Sequence, residues 1–192
     1  SGDPQDPPRE RMIRAVAEIV HSTGGLLWVR RDMGGFTLVA SHNLHERSLP
    51  AIQVEPADSS LVRFLEQRQW VIQLDEYQRE SELYGDLVLP DWLREMRRAW
   101  LVAPLLLGEY LQGFLVLLES RAHQQLNWED RDLIKTAGRQ VASYVALLEA
   151  SEALGEARQF EAFHRLSAYV VHDLKNIAAQ LALVVANAAR HG

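Results

Sequence analysis

Trp100-Leu101-Val102-Ala103-Pro104-Leu105-Leu106-Leu107, the turn Gly108-Glu109-Tyr110, and Leu111-Gln112-Gly113-Phe114-Leu115-Val116-Leu117-Leu118-Glu119 decide the architecture of this chain. Both runs have strand length, are almost continuously apolar, and are joined by a short turn containing glycine. Strands that read this way are covered on both faces. The pair therefore predicts a buried hairpin at the centre of a sheet.

Working outward from that hairpin, the upstream residues supply the rest of the sheet and its cover. Met12, Ile13, Val16, Ile19 and Val20 recur at helical spacing and predict an amphipathic helix over 9–21, ended by Gly24-Gly25. Residues 26–31 and 36–41 flank the turn Asp32-Met33-Gly34-Gly35 and predict a second hairpin. A short strand is expected at 51–54, and Asp58 or Ser59 is placed to cap a helix over 60–68. Residues 70–74 read as a strand. The charged, aromatic segment 75–98 holds Tyr77, Tyr84 and Trp92, with a short helix expected after Pro90. Downstream, Trp128-Glu129-Asp130 opens a helix with the seam Ile134, Ala137, Val141, Tyr144, Leu148 and Ser151.

The order helix, hairpin, helix, strand, long loop, hairpin, helix resembles a GAF domain over residues 9–150. The runs Trp100-Leu101-Val102-Ala103-Pro104-Leu105 and Gln112-Gly113-Phe114-Leu115-Val116-Leu117 are similar to that family's central hairpin. PAS is the competing sensor fold; helices at both ends of the sheet favour GAF. The fold class expected is α+β: a GAF-like antiparallel sheet flanked by helices, then the long C-terminal helix of an incomplete dimerisation and histidine phosphotransfer hairpin. The domain organisation expected is a loose lead-in at 1–8, the sensor at 9–150, a signalling-helix linker at 151–162, and the phosphoacceptor helix at 163–192.

Near the C-terminus lies Tyr169-Val170-Val171-His172-Asp173-Leu174-Lys175-Asn176-Ile177. Phe163, Ser167, Val170, Leu174, Ile177, Leu181, Val184 and Ala188 alternate spacings of four and three, the seam of a helix that meets other helices. With Phe163 and Val170 at d, His172 falls at f and points away from the seam. Lys175 and Asn176 share its face at i+3 and i+4. Phosphoryl transfer to nitrogen needs a neutral imidazole with a free lone pair, and a carboxylate beside the ring favours it. Asp173 is placed for that acid-base role, and Asn176 for orienting a water or a phosphoryl oxygen.

His172-Asp173-Leu174-Lys175-Asn176 resembles the H-box of sensor histidine kinases, and the wider run from Val170 to Leu181 is similar to the kinases of the PEP-CTERM/exosortase system. The resemblance implies a phosphoacceptor at His172, an acid-base partner at Asp173 and phosphatase support at Asn176. Ile177 stands where many H-boxes carry a bending proline. For the full-length protein it implies ATP and Mg as substrates, a response regulator as phosphoryl acceptor, and a homodimer. No ATP-binding domain follows Gly192, so no cofactor and no autophosphorylation are expected of this stretch alone. The alternative is a non-catalytic dimerising module that binds a small molecule and carries a coiled-coil tail.

Composition narrows the rest. With 20 basic against 26 acidic residues and no basic block, nucleic acid is disfavoured as a partner. The absence of cysteine excludes disulfides, thiolate metal centres and a thioether-linked bilin. No apolar run is long enough to span a bilayer, so a cytoplasmic portion is expected. Ser1-Gly2 resembles an expression scar, which is compatible with a membrane anchor upstream. No cyclic-nucleotide constellation is present. His21, His42 and His45 read as solvated rather than as ligands, and no metal site is expected. Tyr77, Tyr84, Trp92 and Trp100 are candidates to line a ligand pocket under the long loop. Finally, the apolar stripe slips by one residue around Gly155, suggesting a helix rotation that carries a signal to His172.

Overall fold

The computed structural model describes residues 7–31, 33–122, 125–154 and 157–191, with backbone only for 157–162 and 184–191. Six strands form one antiparallel sheet in the order β3-β2-β1-β6-β5-β4. The strands are β1 Gly25–Arg30, β2 Phe36–His42, β3 Val54–Glu55, β4 Ile72–Gln73, β5 Ala99–Leu107 and β6 Tyr110–Leu118. The helices are α1 Pro8–Ile19, α2 Ser60–Arg68, α3 Leu74–Arg79, α4 Asp91–Glu95, α5 Trp128–Leu154 and α6 Ala157–His191.

The two apolar runs form β5 and β6, paired as the sequence predicts, and β6 also pairs with β1, which puts the hairpin inside the sheet. Gly108 makes the turn between them at φ 64°, where a side chain would strain the backbone. Pro104 is tolerated inside β5 because β4 pairs only with Leu101 and Val102. Its missing N–H therefore lies beyond the reach of that edge strand.

Alternation along the strands divides the core. Leu27, Val29, Leu101, Ala103, Leu115 and Leu117 face α1 and α5, whereas Leu26, Trp28, Val102, Phe114 and Val116 face the layer formed by α2, α3 and α4. The α5 seam predicted from sequence is buried on the first face through Ile134, Ala137, Val141, Tyr144 and Leu148. Gly138 lets α5 approach closely: a Cβ there would sit 2.6 Å from the Pro104 carbonyl oxygen. Helix α2 is capped as expected, with the Ser59 hydroxyl accepting from the Val62 N–H at 3.2 Å.

Three expectations shift. The strand expected at 51–54 is the two-residue β3, and that expected at 70–74 is the two-residue β4, because at Leu74 the chain already turns into α3. Asp75 and Glu76 in the first turn of α3 favour helix there. The aromatic group is also divided, since Trp100 packs toward α1 and α5 while Tyr77, Tyr84 and Trp92 lie on the opposite side of the sheet.

Helix α6 forms an outer layer. Tyr144 of α5 stacks on Phe163 of α6 with ring centroids 5.1 Å apart. In one continuous helix these residues, 19 positions apart, would be roughly 28 Å from each other. α6 therefore folds back along α5, and its predicted seam meets helices α1 and α5. Phe163, Ser167 and Leu174 are buried, and Val170 and Ala178 pack on the same core. The proposed slip at Gly155 lies outside the described residues, as does most of the expected lead-in.

Candidate phosphoacceptor site

Helix α6 runs through Ile177 without a break, so His172, Asp173 and Asn176 share one regular helix. Leu174 is fully buried and fixes the rotation of that helix; two residues earlier, His172 is exposed, as its f position predicts. The side-chain amide nitrogen of Asn176 lies 3.2 Å from His172 Nδ1. An amide N–H in that position donates to Nδ1, which puts the ring proton on Nε2. Turning the same amide over presents Oδ1 to an Nδ1–H and frees the Nε2 lone pair. One side chain one helical turn away thus bears on which ring nitrogen carries the proton and which the lone pair. Asp173 is half-buried beside it and, among the described residues, makes no hydrogen bond to the ring.

The imidazole borders a groove between α1 and α6. Arg11, Arg14 and Glu18 from α1 face Val171, His172 and Lys175 from α6 across about 320 Å³. The helices are held in step by Arg11, whose guanidinium donates to the hydroxyl of the buried Ser167. The α1 cations were not anticipated from the sequence. Their signal was present in it, because Arg11, Arg14 and Glu18 fall at i, i+3 and i+7, a polar stripe along one side of an amphipathic helix.

The opposite face of the sheet is filled by side chains. Trp28 stacks between Trp92 at 4.5 Å and Phe114 at 5.5 Å. The Trp92 indole donates to the buried Glu55 carboxylate at 2.7 Å. Nearby, the Tyr84 hydroxyl donates to Glu76, which also accepts from Arg131 of α5 at 2.8 Å. Burial and then the Glu76 carboxylate push the Tyr84 hydroxyl up to about 12. Burial acts to raise the Glu76 carboxyl, but bonds from Tyr84 and Arg131 hold it below its ordinary value. Outside this packed layer, a recess of about 630 Å³ lies between Leu49, Ala51 and Ile52 and the α4 side, at Trp92, Met96 and Arg97. His42 contacts Glu10 at 3.1 Å, while His21 and His45 are exposed. Among the described residues no three acidic or histidine side chains converge on a common point. Nor is any helix of the described residues long and apolar enough to cross a membrane.

Solved structures place this architecture. The GAF domain/HD domain protein from Geobacter sulfurreducens is similar over 78% of this chain and 97% of its own, with 15% identity and a TM-score of 0.56. The fold is that of a GAF domain. The GAF domain of a two-component sensor histidine kinase from Bacillus halodurans is similar over 78% of this chain and 96% of its own, at 16% identity and a TM-score of 0.54. A GAF domain from an Acinetobacter phosphoenolpyruvate-protein phosphotransferase covers 72% of this chain and 80% of its own, at 18% identity and a TM-score of 0.53. At such identities the likeness carries the GAF fold and not an activity. No family model matches the sequence, and no curated protein matches it. The H-box resemblance therefore rests on the residues themselves.

Proposed function

We propose that this chain is the sensory and phosphoacceptor portion of a two-component sensor histidine kinase. The observation that carries the reading is an exposed His172 on an unbroken helix whose neighbour Leu174 is buried and whose Nδ1 is held by Asn176. GAF domains from a sensor histidine kinase among the similar structures support the same context.

On this reading, a ring nitrogen of His172 attacks the γ-phosphorus of ATP. The new P–N bond forms as the bond to ADP breaks, and the ring proton passes toward Asp173. The phosphoryl group then moves to an aspartate of a response regulator. ATP and its Mg²⁺ are substrates bound by another domain of the full-length protein, which acts as a homodimer. Asn176, already bonded to the ring, positions the water of the reverse reaction. The 630 Å³ recess is the place for a small-molecule signal.

The test supplies the ATP-binding domain of the parent kinase in trans with radiolabelled ATP. Wild-type chain gains acid-labile, base-stable phosphate, and His172→Gln gains none. Equal labelling of the two, or none of either, removes the phosphoacceptor reading and leaves the non-catalytic dimerising module.

A further inference from the structure

We propose that Arg11 and Arg14 of α1, together with Lys175 of α6, form a cradle for the phosphoryl group carried by His172, so that phosphorylation tightens the seat of α6 on the sensor domain. The proposal rests on His172 being the phosphoacceptor and adds the sensor's own first helix to that site.

Charge is the first argument. Arg11, Arg14 and Lys175 line the groove that His172 borders, with Glu18 as the carboxylate among its lining residues. Cationic side chains gathered along one groove favour an anion placed among them. A phosphoryl group on the ring adds about −1.5 to −2 charge and three acceptor oxygens at the same place. Guanidiniums suit it because their planar donors match phosphoryl oxygens in pairs.

Placement is the second. Arg11 is held against α6 by its bond to Ser167, five residues before His172 and itself buried. That bond occupies one terminal amine of a guanidinium that carries several N–H donors. Because α1 and α6 run in step, with Arg11 level with Ser167 and Arg14 following toward His172, both guanidiniums come from the helix that packs on the sheet.

The consequence is a linkage. A phosphoryl group that binds the cradle favours docked α6, and docking must stabilise the phosphoryl group by the same free energy. The seam residues Phe163, Ser167 and Leu174, once held by α1 and α5, are not available to a second helix. The phosphorylated chain is thus biased toward the folded-back arrangement.

Phosphoramidate tests this on the chain itself, without an ATP domain. It transfers its phosphoryl group to the imidazole as the original P–N bond breaks, the ring proton leaving with the departing ammonia. Melting temperature and phosphohistidine half-life are then measured for wild type, Arg14→Ala and the Arg11→Ala/Arg14→Ala pair, each compared with its own unphosphorylated form. Wild type should gain roughly 2–8 °C on phosphorylation. The pair should lose that gain and hydrolyse on the order of tenfold faster, with Arg14→Ala between them. Because Arg11→Ala also removes the Ser167 contact, Arg14→Ala serves as the control for general loosening of α6. A gain that persists in both variants, or no gain in wild type, overturns the cradle while leaving His172 as acceptor. A folded wild-type chain that takes up no phosphate at His172 overturns the phosphoacceptor reading itself.

Discussion

The two faces of the sheet are covered in different ways. On one, Trp28, Trp92 and Phe114 stack into a closed layer, and Glu76 ties Tyr84 of the long loop to Arg131 of α5. On the other, α1 and α5 seal the sheet and α6 lies over them, held by a few apolar anchors and the Arg11 to Ser167 bond. The first face must open for the domain to unfold. The second ends in an outer helix whose removal would leave the sheet and its α1 and α5 cover in place, and that helix carries His172.

Substitutions on the two faces should therefore fail differently. Trp28→Ala removes the centre of the aromatic stack and should cost about 3–5 kcal/mol of global stability in a denaturant melt. A loss below about 1 kcal/mol would show that the closed face is not a packed core. Leu174→Ala removes the buried anchor of α6 and should weaken its docking by about 2–4 kcal/mol. Hydrogen exchange should then rise through α6 while β1, β5 and β6 remain protected. Simultaneous loss of protection in the sheet would erase the distinction between the faces.

Glu76→Gln should cost about 1–3 kcal/mol, because it weakens two charge-assisted bonds that join the long loop to α5. Its pH dependence has a fixed sign. The Glu76 carboxyl is held below its ordinary 4.5 in the folded protein. Its contribution is therefore present above that value and is lost as pH falls through the lower folded one. Tyr84 acts at the other extreme. With its hydroxyl pushed up to about 12 from 10.0, stability is full below pH 10 and declines as pH rises toward 12. Wild type and Glu76→Gln should converge in acid, and parallel curves would show that Glu76 is not the titrating group. The smallest effect is at the α2 cap, where Ser59→Ala should cost about 1 kcal/mol without changing α6 exchange.

What the sequence made legible follows from how local each pattern is. The central hairpin, the α5 seam and the Ser59 cap are written in consecutive residues, and each forms where its pattern places it. The edge strands β3 and β4 are two residues long because their length depends on a single neighbour, which no local pattern reveals. Trp100 and Trp92 are close in sequence yet lie on opposite sides of the sheet, since Trp92 is on α4, whereas Trp100 is within β5 at a register shift between Ala99 and Leu101. The H-box resemblance was readable because it lies in five adjacent residues. Its cationic neighbours were not, because Arg11 meets Ser167 across 156 residues of sequence and only the fold-back of α6 brings them together.

The central claim is that the exposed His172, at the groove between α1 and α6, receives a phosphoryl group. The most direct measurement is localisation of phosphate in the ATP-treated full-length kinase, by mass spectrometry with fragmentation at neutral to basic pH. Phosphate on the His172 imidazole, absent from the His172→Gln protein, is the result expected. Phosphate confined to another residue, or present equally in the His172→Gln protein, would contradict the account.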